Sequence, residues 1–238
     1  MTESLPQLLV GGLAERPVPE LSVVIPAHNE APSLELVTQR VRDVLEREER
    51  SFELIVVDDG SRDGTAETLE RLHREDPRIR ARILAYRHGK SAALTCGFRA
   101  ARGRIVVTMD ADLQDLPEEI PKLIRTLEEE ELDLVQAWRA ERNDPRYKVF
   151  ASWVFNTCCF VFSGLRLRDV NCGLKVLRRS VARRLRLGDD MHRFIPILVH
   201  RSGGRVGEVA VRHARRAFGR SKYGPMRYLR GFSDLLGV

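Results

Sequence analysis

Apolar and polar positions along the first 136 residues alternate between short hydrophobic runs and longer segments of helical period. Residues 21–25 form an apolar run that Pro26 is expected to stop. Polar Ala27-His28-Asn29-Glu30 then leads into a segment with Leu34, Val37, Val41, Val44 and Leu45 on one helical face. The same unit repeats three times. A strand over 52–57 runs into Asp58-Asp59-Gly60-Ser61 and a helix from about 65 to 73. A strand over 79–85 passes through Arg87-His88-Gly89-Lys90 into a small-residue helix over 91–101, and the β-branched run from Ile105 ends at Asp110 before a helix over 117–129. A fifth strand is expected over 132–136. This alternation predicts an α/β fold with a mostly parallel central sheet and helices on both faces.

The flanks read differently. Residues 1–20, with Gly11-Gly12, Pro17 and Pro19 and no sustained period, are expected to be a mobile leader. One domain is expected over 21–225, with halves 21–136 and 137–225, followed by an amphipathic segment over 226–238 in which Tyr228, Leu229, Phe232, Leu235 and Leu236 alternate with Arg227 and Arg230. The longest uncharged run, 149–165, falls short of the roughly 20 residues that span a bilayer and contains Ser152, Asn156, Thr157 and Ser163. It reads as a buried or interfacial helix, so no membrane span is expected in the chain.

Composition adds two constraints. A chain of 238 residues with 43% hydrophobic content is that of a folded globular protein, and its four cysteines lack the paired spacing of a structural zinc site. The net charge of +6 hides a strong asymmetry: residues 1–136 carry −9 and residues 137–238 carry +15. A basic second part suits a polyanionic partner, whether nucleic acid, phosphorylated substrate or anionic membrane, or is simply a solvated surface.

Three polar loops, 26–30, 58–61 and 110–114, follow strands at their carboxyl ends, the edge where open parallel sheets bind ligands. Asp110, Asp112 and Gln114 offer only oxygen ligands, the donor set of Mg²⁺ or Mn²⁺; the other reading is a loop in which Asp115 and Pro117 merely start the next helix. No phosphate loop of the Gly-x-x-x-x-Gly-Lys type, no Gly-x-Gly-x-x-Gly and no Gly-x-Ser-x-Gly elbow is present, which removes support for a P-loop nucleotidase, a dinucleotide oxidoreductase or an acyl hydrolase.

Val24-Ile25-Pro26-Ala27-His28-Asn29-Glu30, Val56-Val57-Asp58-Asp59-Gly60-Ser61, Gly89-Lys90-Ser91-Ala92-Ala93-Leu94 and Asp110-Ala111-Asp112-Leu113-Gln114 together resemble the family 2 inverting glycosyltransferases of the GT-A nucleotide-diphospho-sugar transferase fold. Asp169-Val170-Asn171-Cys172-Gly173-Leu174-Lys175, His192-Arg193-Phe194 and Gly219-Arg220-Ser221-Lys222-Tyr223-Gly224 are similar to the dolichyl- and polyprenyl-phosphate sugar transferases within it, the dolichol-phosphate mannosyltransferase-like branch. The resemblance implies transfer of a hexose, mannose or glucose, from a GDP- or UDP-sugar to a polyprenyl phosphate. Carried over residue by residue, it implies that Pro26, Ala27, His28, Glu30, Asp58, Asp59 and Lys90 bind the nucleotide sugar together with Asp110, and that Asp110, Asp112 and Gln114 hold a divalent metal. It assigns Arg216 and Lys222 to the donor phosphates, and Arg139, Lys148 and Ser152 to the acceptor phosphate, with Asp112, Arg139 and Lys148 the catalytic set. His28 stands where Tyr is common in the family, and Lys148 where some members have Arg, which lacks bidentate geometry when replaced by lysine.

An acceptor phosphate is largely ionised near neutral pH, with a second pKa of about 6, so no strong general base is required. His192 and Asp169 stay open as bases; Asp169 could equally pair with Arg168 or Lys175. A lipid acceptor implies peripheral attachment at the cytoplasmic face of a membrane, and no nucleic-acid partner. Two rivals remain: a family 2 transferase acting on a glycan, against which stands the missing Gln-x-x-Arg-Trp pattern, and a non-catalytic anion- or membrane-binding module, which gains nothing from clustered carboxylates.

Overall fold

The computed structural model describes residues 7–10, 17–140 and 146–214, with side chains over 17–140 and 152–214. In chain order the elements are β1 (Gln7–Val10), β2 (Leu21–Ala27), α1 (Ala31–Arg47), β3 (Phe52–Asp58), α2 (Thr65–Glu75), β4 (Ile79–Leu84), α3 (Lys90–Ala100), β5 (Ile105–Thr108), α4 (Ile120–Glu129), β6 (Leu134–Arg139), α5 (Arg146–Ser163), β7 (Lys175–Arg178), α6 (Arg179–Arg184), α7 (Ile195–Arg201) and β8 (Val206–Val211). The eight strands make one sheet in the order β1-β4-β3-β2-β5-β7-β6-β8. Four of its junctions are parallel, and β1–β4, β5–β7 and β6–β7 are antiparallel.

Period-two burial divides the sheet's side chains between two layers. Val23, Ile25, Leu54 and Val56 pack against Leu34, Val37 and Val41 of α1 and Leu123, Ile124 and Leu127 of α4. Val24, Ile55 and Val57 face the other way, against Ala93, Leu94 and Phe98 of α3 and Ile195 and Val199 of α7. Both faces are thus covered, which explains why the central strands read as continuous apolar runs rather than alternating ones. A third small core joins Phe155 and Cys159 of α5 to Phe194 and Ile197. Elsewhere on α5, Trp153 stands at 62%, Val161 at 72% and Phe162 at 56% exposure. No helix among the described residues is long and apolar enough to cross a membrane.

Several expectations need correction. Pro26 does not stop the first strand; it pairs with Val57, and β2 runs on to Ala27. Toward β5 the ladder has already ended at Val24–Thr108, so the missing proline N–H removes no bond. Within the stretch read as a leader, Gln7–Val10 forms an edge strand antiparallel to β4. β7 and β8, absent from the sequence reading, lie in the basic second part, and the helix expected from residue 117 opens as a 3₁₀ turn, Pro117–Glu119, before α4.

At the amino edge of the parallel strands, Glu53 is buried among cations and donors. The Ser22 hydroxyl (2.7 Å) and the Arg102 N–H (2.8 Å) donate to Oε1, and Arg102 Nε (3.1 Å) and Arg80 pair with Oε2. Burial by itself would raise the Glu53 pKa, but these partners outweigh it and hold the carboxyl below its ordinary value.

Candidate active site

At the carboxyl edge the loops after β2, β3, β4 and β5 meet. The first two are stitched by local bonds: Asn29 N–H donates to Ser61 Oγ (2.8 Å), Arg62 N–H to Asn29 Oδ1 (2.9 Å), and His28 Nδ1 lies 2.8 Å from the Asp59 carbonyl. Asn29 takes a left-handed φ of 51°, which its short amide side chain tolerates. Gly60, at φ 65°, passes so close to the Tyr86–Arg87 backbone that a Cβ would come within 2.5 Å of it. The Asp59 carboxylate accepts the N–H groups of His88 (2.6 Å) and Gly89 (2.9 Å), tying the β3 loop to the turn that opens α3. Asp58 accepts from the Ser61 N–H (3.0 Å) and hydroxyl; burial nevertheless leaves its pKa raised.

These loops enclose a cavity of about 110 Å³ lined by Pro26, Ala27, His28, Glu30, Asp59, Lys90, Asp110 and Asp112, together with Arg87, Ala93 and Ala111. Eight residues carried over from the resemblance therefore meet in one place. Asp58 is not among the lining residues; its carboxylate is engaged in the turn. Arg87 was passed over in the sequence because nothing local marks one arginine among many.

In the same cavity the Lys90 ammonium ion-pairs with Asp110. Asp110 N–H donates to Asp115 Oδ2 (3.1 Å) and Gln114 N–H to Asp112 Oδ1 (3.1 Å), while Leu113 adopts φ 62° in between. Asp115 is fully buried; burial first, then the charges of Asp110 and Asp112, push its pKa up to about 7. The hard-oxygen donors of Asp110 and Asp112, side by side in this loop, fit a divalent ion that keeps its remaining ligands as water or phosphate oxygens. Among the described residues no cluster of three His, Cys, Asp or Glu groups is arranged as a complete metal cage. Gln114, the third expected ligand, contributes its carbonyl to the N–H of Ala214 (3.0 Å), and Asp115 bridges to His213, so the strand leaving β8 lies against this loop.

The loop before β7 closes the back of the site. Thr108 Oγ1 donates to the Gly173 carbonyl (2.9 Å), and the buried Gln136 amide reaches the carbonyls of Asp169 (3.2 Å) and Cys172 (3.1 Å). Gly173 is forced: a Cβ there would stand 2.7 Å from Asp115 Oδ2 and 3.0 Å from Asp110 Cγ. Lys175 is buried beside it and donates to the Cys172 carbonyl; burial lowers its pKa to about 8. Burial likewise pushes the Cys172 thiol far up, which makes it an inert packing group.

Arg139 makes a side-on pair with Asp169, Nε–Oδ2 2.6 Å and Nη2–Oδ1 3.1 Å. Although burial would lower its pKa, Asp169 outweighs that and raises it. Asp169, left open as a base or as a partner of Arg168 or Lys175, is thus the arginine's orienting carboxylate, with Nη1 left for another anion. His192 is anchored on α3: its N–H donates to Ser91 Oγ (3.0 Å), and its Nδ1 lies 3.3 Å from the same oxygen. Ser152 is buried on α5. The Lys148 side chain, Arg216 and Lys222 lie outside the described residues.

A twisted sheet with an acidic, lysine-bearing cleft at its carboxyl edge defines the GT-A class of nucleotide-diphospho-sugar transferase folds. Within it, the chain belongs to glycosyl transferase family 2, whose model matches residues 22–186. It is similar to dodecaprenyl-phosphate galacturonate synthase of Rhizobium johnstonii, 40% identical over 223 residues, and to undecaprenyl-phosphate 4-deoxy-4-formamido-L-arabinose transferase of Pseudomonas syringae pv. syringae, 37% identical over 221 residues. Each match covers 92% of this chain, which spans 66% and 65% of those relatives' own lengths. A mannosyltransferase from Pyrobaculum calidifontis in complex with GDP-Man and Mn²⁺ shares the fold with a TM-score of 0.64 at 22% identity, covering 92% of this chain and 62% of that one. Glucosyl-3-phosphoglycerate synthase from Mycobacterium tuberculosis in complex with Mn²⁺ and UDP-Glc does so with a TM-score of 0.69 at 21% identity, covering 92% and 80%.

Proposed function

We propose that this chain transfers a sugar from a nucleoside diphosphate donor to a polyprenyl phosphate, with inversion at the anomeric carbon. The observation that carries the reading is the Asp110/Asp112/Asp115 carboxylate loop set beside Lys90 in the cleft, in a chain two of whose curated relatives are named for polyprenyl phosphates. Pro26, Ala27, His28 and Glu30 form the nucleotide side, and Asp58 and Asp59 hold the loops that shape it. Asp110 and Asp112, with Gln114, hold Mg²⁺ or Mn²⁺, which when bound supplies charge neutralisation for the departing diphosphate. Lys90 adds a fixed positive charge on the same side, and Arg216 and Lys222 extend it from the segment that follows Ala214. This electrostatic stabilisation of the leaving group is the main catalytic device.

On the acceptor side, Asp169 orients Arg139 so that Nη1 meets a phosphate oxygen, with Lys148 and Ser152 completing the phosphate site. An ionised phosphate oxygen attacks the anomeric carbon, the bond to the diphosphate oxygen breaks, and no protein base is needed. The exposed Trp153, Val161 and Phe162 of α5, flanked by exposed Arg166 and Arg168, suit peripheral contact with the cytoplasmic face of a membrane where the lipid's tail stays buried.

The sugar is the finer question. Mannose and glucose follow from the sequence resemblance, while the relatives are named for galacturonate and 4-deoxy-4-formamido-L-arabinose. A panel of radiolabelled GDP-mannose, UDP-glucose and UDP-galacturonate with polyprenyl phosphate and Mn²⁺ tests the reading. Label in the lipid phase supports it; donor turnover stimulated by an oligosaccharide and not by polyprenyl phosphate replaces it with a glycan transferase.

A further inference from the structure

Behind the Lys90–Asp110 pair lies a second, smaller recess of about 10 Å³, reached past Pro26, Lys90 and Asp110 and floored by Asn171, Gly173, Lys175 and His192. That volume is about what one water molecule or one hydroxyl fills. Its polar lining is incompletely satisfied. The Asn171 side-chain oxygen is buried and accepts no hydrogen bond. Lys175 uses one of three ammonium donors on the Cys172 carbonyl and makes no other hydrogen bond among the described residues. A buried acceptor and buried ammonium donors left without partners are costly, and such groups in native proteins call for an occupant.

We propose that this recess reads one hydroxyl of the transferred sugar, with Asn171 accepting from the hydroxyl and Lys175 donating to it. The inference rests on the donor site proposed above and deepens it. Pro26, Lys90 and Asp110 line both this recess and the larger cavity, so the sugar of a donor whose diphosphate sits at Asp110 and Asp112 would lie within reach of it. A hydroxyl is both donor and acceptor, so a pocket offering one of each matches it, whereas a methylene would leave both protein groups bare. Glycine at 173 lets this wall of the recess lie against the Asp115 and Asp110 carboxylates, which a Cβ would approach to 2.7 Å and 3.0 Å. Asn171 and Lys175 thereby become specificity-determining residues that act on the sugar and not on the nucleotide.

Binding separates the two. Isothermal titration in the presence of Mn²⁺ compares UDP and GDP with UDP-glucose, UDP-galacturonate and GDP-mannose for the wild type, Asn171→Ala and Lys175→Met. Asn171→Ala is expected to weaken the nucleotide sugar that the wild type prefers by about tenfold to a hundredfold, while the matching nucleoside diphosphate, which lacks the sugar, changes less than about twofold. Retained diphosphate binding also certifies that the variant is folded; if Lys175→Met is unstable, Asn171→Ser, which restores a hydroxyl acceptor, should recover part of the loss. Equal weakening of sugar and diphosphate, or no weakening of either, overturns the inference and leaves the donor site standing. A wild type that binds the diphosphates and the nucleotide sugars not at all overturns both.

Discussion

Two clusters built around buried carboxyl groups sit at opposite edges of the same sheet and obey opposite rules. At the amino edge Glu53 is matched by Arg80, Arg102 and the Ser22 hydroxyl, and its pKa is depressed. At the carboxyl edge Asp110, paired with Lys90, lies with Asp112 close to the buried Asp115, whose pKa burial and these two charges push up to about 7. The first cluster is complete within the chain and serves the fold. The second crowds carboxylates together strongly enough to raise Asp115, an arrangement found more often at functional sites than in structural ion pairs.

Substitutions at the two edges should therefore move different observables. Asp112→Ala should reduce sugar transfer by about a thousandfold or more while leaving the melting temperature unchanged or higher, because it relieves repulsion at Asp115; paired transfer assays and thermal melts check this. Near-normal transfer by that variant with a chelator present would break the contrast. Glu53→Ala should do the reverse, lowering stability by about 3 kcal/mol, read from the denaturation midpoint, with transfer unchanged at temperatures where it stays folded.

The acid limb of the stability curve sharpens the contrast. Because the folded-state pKa of Glu53 lies below its unfolded value, its contribution is present above the unfolded pKa, about 4.3, and is lost as pH falls through the depressed folded value. Glu53→Ala should flatten that limb. Arg139→Lys should raise the KM for polyprenyl phosphate about tenfold with donor binding intact, since lysine cannot be held side-on by Asp169 and still present a second nitrogen. The smallest effect is expected for Trp153→Ser, a few-fold weaker co-sedimentation with anionic vesicles and unchanged transfer to a short-chain acceptor in detergent.

The central strands were legible because sandwiching between helix layers demands unbroken apolar runs, and β2, β3 and β5 have them. β7 and β8 were not: the first is four residues long and the second is half exposed, so neither carries a period. Edge strand β1 hid in a stretch punctuated by glycine and proline. Of the site, the loops that follow strands in a parallel sheet could be placed from the sequence, and Lys90, Asp110 and Asp112 with them. Pairings across distance could not. Asp169 lies 30 residues from the arginine it orients, and Asp59 spends its carboxylate on the N–H groups of His88 and Gly89, an engagement that depends on how β3 and β4 align.

The N–H of Ala214, bonded to the Gln114 carbonyl, fixes a point of departure as well as a contact. Arg216 is two residues beyond that anchor, and Lys222 eight, so on an extended-chain limit their Cα atoms stay within about 7 Å and about 29 Å of it. Confinement to a sphere of the larger radius corresponds to an effective concentration on the order of 10 mM. On the proposed function, free cations in solution would have to compete with that figure for the diphosphate. Lengthening the tether by inserted residues, with both basic side chains retained, would dilute them without altering either group.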